Sequence, residues 1–364
     1  MITVIVIGTK AGTGQGGISI ALPGYFAALQ HAGVPYQFIA SHEGGSQLHK
    51  LRVYLSALRQ VWQSIRAANS NQHQPILYVH IGPWFSMLRK LSCVWLGKLL
   101  GAKVICQVHS LALDRYLNHT VGRWLCKLFF MQMDQVLVLT EWWRRRIEAE
   151  GVDRVSVVPN PLPERFEFIA LQPRLFTEQQ ISNNAVRLLT MTRLVQGKGV
   201  ELAINSIVFL PDYYILTIAG DGPLRVKLEN MVIDLGLAER VCFLGWVTGE
   251  DRMTLFENHD IFLLPSQNDS FGMGFVEAMA FGMPIVAQNW GAIADVVAND
   301  KSGFLVEQPD AELLATALSK LESVELRRQM GVYGKQWVLQ QFSIDSVAIK
   351  LDAIVYSLQD GCNK

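Results

Sequence analysis

Short runs of continuous Val, Ile and Leu recur along the chain, and between them apolar residues return at three- and four-residue steps. The runs predict strands over 3–7, 36–40, 76–81, 103–108, 135–139 and 156–159, then over 187–192, 214–219, 241–244, 261–264, 284–287 and 303–306. Strands that are apolar on both sides, alternating with helical spacing, belong to parallel sheets covered by helices on both faces. A polar, aperiodic stretch over 171–184 parts the two series and reads as a linker. The fold class that follows is α/β, with two doubly wound Rossmann-like domains assigned to 1–170 and 185–344 and a cleft between them. A length of 364 residues, more than one core usually serves, agrees with two domains. The last segment, 343–358, has helical periodicity.

Composition narrows the class. Half the residues are hydrophobic and 18% are charged, far from a disordered chain. Cys93, Cys106, Cys126, Cys242 and Cys362 are scattered without a C-x-x-C pair, which points to reduced thiols rather than a disulfide framework or zinc site. The opening apolar run has no basic region before it, so no signal peptide is expected, and no run is long enough to span a bilayer. A cytoplasmic protein is the expectation. The balanced net charge hides an asymmetry: residues 1–170 carry 17 Lys and Arg against 9 Asp and Glu, and the remainder 15 against 23. Either the first half alone faces something anionic, or surface charge simply drifts between domains. Nothing points to nucleic acid.

The most informative stretch is Asn268-Asp269-Ser270-Phe271-Gly272-Met273-Gly274-Phe275-Val276-Glu277, with a strand leading in and another leading out. A strand, a glycine turn and a helix start bring backbone N–H groups and a positive dipole end to one point, which suits a phosphate. Asp269 and Glu277 can then accept hydrogen bonds from hydroxyls on either side of it, as a sugar–diphosphate–nucleoside would offer. This block resembles the acidic-x7-acidic signature of retaining, GT-B-fold glycosyltransferases of glycosyltransferase family 4. There the first acidic residue is usually Glu; here it is Asp269, one methylene shorter.

Other stretches extend the resemblance. Arg193 and Lys198, in Arg193-Leu194-Val195-Gln196-Gly197-Lys198, match the family's R-x4-K element, whose pair grips the donor diphosphate and stabilises charge that builds as the sugar–oxygen bond breaks. Ala219-Gly220-Asp221-Gly222 is another family turn, in which Asp221 reads mainly as a cap for the following helix. Gly245 and Trp246 fall in the stretch that frames the nucleobase, where Trp246 either stacks on the base or is an ordinary core or rim residue. Near the start, Gly16 and Gly17 resemble the family's N-terminal glycine pair. The same region satisfies G-x-G-x-x-G through Gly12, Gly14 and Gly17, but the first strand ends too early for a dinucleotide fingerprint. His80 and His109 each end a strand, and His109 aligns with a histidine that the family places near the transferred sugar. Pro161 stands where Gly is common in the V-P-N-G segment, and Asn289-Trp290-Gly291-Ala292-Ile293-Ala294-Asp295 softens the family's G-G-x-x-E element.

The resemblance implies a hexosyltransferase that keeps the anomeric configuration, with Arg193, Lys198, His109 and Asp269 as its catalytic group. Gly16, Gly17, Gly220, Gly245, Trp246, Ser270, Phe271, Gly272, Met273 and Glu277 would bind the donor, Glu277 through the ribose hydroxyls. The donor would be a nucleotide-diphosphate sugar (a UDP-sugar first, a GDP-sugar next), and the acceptor a glycan or lipid-linked sugar in polysaccharide or lipopolysaccharide biosynthesis. No metal or cofactor is expected, Arg and Lys standing where others use a divalent ion. The final helix, 345–364, would cross back onto the first domain. Aromatic and basic residues mix at 84–91, 123–130 and 142–146, which fits either peripheral contact with an anionic membrane or ordinary core beside a solvated face. An epimerase of the same fold, an NAD-binding oxidoreductase and a non-catalytic partner subunit are the competing readings.

Overall fold

The structure, a computed structural model, describes residues 2–10, 17–174 and 185–360. Gly16, Cys362 and most of the expected linker lie outside the described residues. Among the described residues, twelve strands form where the apolar runs predicted them. β1 (Ile2–Thr9), β2 (Tyr36–His42), β3 (Gln74–Ile81), β4 (Lys103–Val108), β5 (Gln135–Val138) and β6 (Val155–Val157) make one sheet in the order β2-β1-β3-β4-β5-β6. The second sheet holds β7 (Val186–Met191), β8 (Tyr214–Ala219), β9 (Val241–Gly245), β10 (Ile261–Leu264), β11 (Ile285–Gln288) and β12 (Gly303–Val306), ordered β12-β11-β10-β7-β8-β9. Every pairing in both sheets is parallel.

Strand order dictates which helices cover which face. In the first sheet β1 to β2 steps one way, and every later connection steps the other. Right-handed crossovers therefore put helix Gly17–His31 on one face and Gln47–Ser70, Trp84–Leu99, Thr120–Phe130 and Glu141–Glu148 on the opposite one. The packing agrees. Ile76 and Tyr78 of β3 share a core with Leu22, Tyr25 and Leu29 of Gly17–His31, whereas Leu77, pointing the other way, lies against Gly97.

The chain divides into Met1–Pro163 with Phe342–Lys364, and Glu164–Gln341. The first unit ends earlier than residue 170, and the last helix packs on it as expected. Helix Glu164–Leu171 belongs with the second unit, because Phe166 packs on Phe256 and Phe281 of that unit's core. The C-terminal helix, Ile344–Asp360, closes the first unit's core through Val347, Leu351 and Val355, and His31 meets Asp345 at 2.7 Å.

Of the two readings of 142–146, the side chains follow ordinary core beside a solvated face. In 142–146, Trp143 is 2% exposed, Arg144 pairs with Glu141, and Arg146 pairs with Asp114 and Glu150. Helical spacing turns Trp143 and Ile147 inward together, and the carboxylates neutralise both of those arginines. Leu351→Ala removes three buried carbon atoms from the first core and should lower stability by about 2–4 kcal/mol in urea unfolding.

Candidate functional site

In an open parallel sheet, ligands bind beyond the carboxyl ends of strands where the order reverses. In the second sheet that point lies between β7 and β10, and the loops after these strands carry Arg193, Lys198 and Asp269. The two loops are stitched together. The Gln267 N–H donates to the Gly197 carbonyl at 2.8 Å, and Gly199, at φ +72°, lies so close to Pro265 that a Cβ would strike its carbonyl. This holds Lys198 in place, 8% exposed, with Nζ donating to Asp269 Oδ1 at 2.6 Å and to the Asn268 carbonyl at 2.8 Å. Asp269 Oδ2 is buried and has no hydrogen-bond partner among the described residues. A buried acceptor left open costs about 1–3 kcal/mol, the kind of local penalty that marks a place built for a hydroxyl or N–H donor. Arg193 on the same loop is exposed and makes no side-chain hydrogen bond or ion pair among the described residues.

The β10 loop runs into helix Met273–Ala280 through Gly272, whose φ of +81° suits only glycine beside the Phe275 ring. Phe271 is 2% exposed, so its side chain belongs to the core and only its backbone is open to a donor role. Ser270 and Met273 are half-buried at the turn. Glu277 lies one helical turn in and is 3% exposed; burial raises its pKa, and Arg252 opposes that rise. The Arg252 guanidinium donates to Glu277 Oε2, packs against Met191 Sδ, and lies over the Phe166 and Phe256 rings at 5.6 and 5.5 Å. Arg252 was not among the expected site residues. Nothing in helix Gly249–Asn258 marked it, because its partner is 25 positions away.

The ends of β8 and β9 are joined too. The Gly220 N–H donates to the Gly245 carbonyl at 2.7 Å, and the Leu194 N–H donates to the Asp221 carbonyl at 2.9 Å, so the turns after β7, β8 and β9 form one rim. Asp221 does not cap the next helix, which starts after Leu224 without a side-chain cap. Its carboxylate instead accepts from the Gly222 N–H at 2.7 Å and pairs with Arg225 at 3.5 Å. Trp246 stands 48% exposed just beyond this rim.

In the first domain, Gly17 opens its helix. His80 and His109, buried at the ends of β3 and β4, contact each other through Nδ1 and Nε2 at 2.9 Å. Lys90 donates to the His80 carbonyl and to Ser86 Oγ, and Tyr25 donates to Asn160 Oδ1 at 3.2 Å. Burial pushes the Lys90 ammonium down to about 7 and His109 down to about 3, the latter partly opposed by a hydrogen bond to Asn160. Burial also holds His80 well below its ordinary range. The sequence marked His109 as a site residue and left His80 open; the structure makes them one pair. Among the described residues no three His, Cys, Asp or Glu side chains gather as a metal site.

Two family models match the chain: "Glycosyl transferases group 1" over residues 172–337 and "Glycosyl transferase 4-like domain" over 4–161. The chain belongs to the group 1 glycosyl transferases. Its stitched β7 and β10 loops and the buried helix after them lie inside the first of these matches. Among curated relatives, the amylovoran biosynthesis glycosyltransferase AmsK of Erwinia amylovora is 26% identical over 69% of this chain and 62% of its own. A GDP-mannose-dependent phosphatidylinositol monomannoside mannosyltransferase of Mycobacterium tuberculosis is 31% identical over 44% of this chain and 45% of its own. The chain spans about half the length of the curated relatives it matches. Among solved structures, Anabaena HepE in complex with UDP and glucose superposes with a TM-score of 0.71 at 15% identity, covering 98% of this chain and 100% of its own. That likeness establishes the GT-B fold for both domains.

Two outcomes follow from the site's electrostatics. Arg252→Ala leaves the Glu277 carboxylate buried alone, so it should cost about 3 kcal/mol in urea unfolding at pH 8, and much less in a Glu277→Gln background. His80, His109 and His259 all have lowered pKa values in the fold, His259 at about 4. Below about pH 6.5 the unfolded chain binds protons that the folded chain refuses, so stability falls as pH drops. Melting temperatures should decline steadily from pH 7 towards pH 4.5, where a chain with ordinary folded-state histidines would decline less.

Proposed function

We propose that the protein transfers a hexose from a nucleotide-diphosphate sugar to an acceptor hydroxyl with retention of configuration. The observation that carries this reading is the Lys198–Asp269 pair. It sets a fixed cation and a half-used carboxylate at the switch point, beside a glycine-opened helix start. In the reaction, Arg193 and Lys198 stabilise the departing diphosphate, helped by the backbone N–H groups near Gly272. Asp269 holds hydroxyls of the donor sugar. Glu277, one oxygen of which is taken by Arg252, offers the other to the ribose. His109 acts near the transferred sugar, and Gly16 and Gly17 bring backbone to the diphosphate.

Both carboxylates are assigned to donor hydroxyls, Asp269 through the oxygen that Lys198 leaves open and Glu277 through the one that Arg252 leaves, so the scheme uses no carboxylate nucleophile. The acceptor's proton then passes to the leaving phosphate oxygen on the same face of the sugar. No metal takes part in this scheme. A UDP-sugar is the first donor to test, because HepE is described with UDP and glucose; a GDP-sugar is second, because the mycobacterial relative is named for GDP-mannose. The acceptor in this reading is a glycan or lipid-linked sugar in polysaccharide biosynthesis, reached from the cytoplasmic side; AmsK, named for amylovoran biosynthesis, supports the pathway class.

The test has two parts. Thermal shift against UDP, GDP, ADP and NAD should show stabilisation by one nucleoside diphosphate and none by NAD. With the matching donor sugar, Lys198→Ala should lower turnover by about 10²–10³-fold. Undiminished turnover in that variant would remove Lys198 from the chemistry, and stabilisation by NAD alone would return the oxidoreductase reading.

A further inference from the structure

The helical layer on one face of the first sheet is apolar outward as well as inward. In Trp84–Leu99, Met87, Cys93, Val94 and Gly97 turn towards the sheet. Phe85, Leu88, Trp95 and Leu99 fall on the opposite side of the helix and are 85, 60, 58 and 84% exposed. Thr120–Phe130 repeats the arrangement, with Cys126, Phe129 and Phe130 inside and Val121, Trp124 and Leu128 outside. Helix Gln47–Ser70, packed beside Trp84–Leu99 through Tyr54 and Ser92, adds an exposed stripe of Leu48, Leu51, Leu55 and Trp62. The three helices cover the same face, as the crossovers require. Gln47–Ser70 and Trp84–Leu99 pack side by side, and monomeric proteins seldom turn neighbouring rows of large apolar side chains to water.

Charge identifies what covers it. Between Glu43 and Asp114 the chain has no acidic residue and eight Lys and Arg. Arg52, Arg59 and Arg66 recur at seven-residue steps on the flank of the apolar stripe, Arg66 lying over the Trp62 ring at 4.8 Å. Arg52 and Arg59 make no side-chain hydrogen bond or ion pair among the described residues. A second copy of the chain is a poor match, because a two-fold contact would set this cationic row against itself. No helix among the described residues is long and apolar enough to cross a membrane. Aromatic and aliphatic side chains flanked by unopposed arginines fit the boundary between headgroups and acyl chains.

We propose that this face, formed by Gln47–Ser70, Trp84–Leu99 and Thr120–Phe130, docks flat on an anionic lipid bilayer. The segment 142–146 takes no part, being core and ion pairs. The proposal is independent of the transfer chemistry and is tested apart from it. The full chain is floated with vesicles of phosphatidylcholine alone or with about one-third phosphatidylglycerol, at low and high salt. Wild type should float with the anionic vesicles at low salt, at least about tenfold more than with neutral ones, and its tryptophan emission should shift to the blue. Trp95→Asp with Leu99→Asp, and separately Arg52→Gln with Arg59→Gln, should each weaken flotation by about tenfold or more while melting temperature and nucleotide-induced shift stay at wild-type values. Wild type that stays unbound to anionic vesicles at low salt would overturn the proposal. So would equal binding to neutral vesicles, or a wild-type dimer that Trp95→Asp with Leu99→Asp converts to monomer.

Discussion

The structure rests on one constraint: a parallel strand buried on both faces must be followed by a crossover that returns to the same end of the sheet. Ile261, Phe262 and Leu263 of β10 are fully buried, as are Leu188 and Leu189 of β7. Their apolar faces lock the strands between helices and leave only the loops at the carboxyl edge free to carry chemistry. Because β7 leads to β8 on one side and β10 leads to β11 on the other, the loops after β7 and β10 diverge in direction, and polar groups can sit between them without entering the core. Lys198 and Asp269, 71 residues apart, meet there as a consequence of strand order.

The two acidic residues of the signature are held differently. Asp269 is in a loop, keeps one oxygen on Lys198 and leaves the other buried and open. Glu277 is on the rigid helix, among Phe275, Val276, Ala278 and Met279, and its charge is tolerable there because Arg252 reaches it from a neighbouring element. Removing a carboxylate from water costs several kcal/mol unless a partner offsets it. The arginine is itself sheltered by two phenylalanine rings, one of them from helix Glu164–Leu171. This explains why that helix belongs with the second unit: Phe166 completes the apolar wall around the cation that keeps Glu277 in place.

What could be read from the chain follows from the range of each interaction. Strand positions were legible because a continuous Val/Ile/Leu run reports its own burial, as in Ile261–Leu264. The places of Lys198, Asp269 and Glu277 on the strand-end loops and the helix were legible because glycine turns are local signals, whereas the roles expected of them came from the family resemblance. Arg252 was not, since an isolated arginine after Glu250 and Asp251 looks like any solvated helix start. The fate of 142–146 was equally hidden. Two tryptophans and three arginines in a row fit either a surface or a core, because the helix phase decides which tryptophan turns inward, and the neutralising Asp114 lies 32 residues earlier than Arg146. Asp221 shows the same limit at short range. An acidic residue shortly before a helix can cap it or bond within the turn, and only the position of the next helix separates the two.

The first sheet's two faces show how one rule can give opposite surfaces. On one, Ile344–Asp360 returns to lie beside Gly17–His31, and Val347 and Leu351 fill what a single crossover helix would have left open. The other face has its full row of crossover helices and needs no further cover to protect the strands. Phe85, Leu88, Trp95 and Leu99 therefore contribute nothing to closing the core, and their outward side chains work against solubility. Stability alone would place polar residues at those positions. Arg52 and Arg59 likewise lack an acidic partner among the described residues, although elsewhere in the same domain Arg144 and Arg146 have theirs. Apolar side chains without a core and cations without carboxylates, on the same face, are accounted for together by a surface that supplies both hydrocarbon and negative charge.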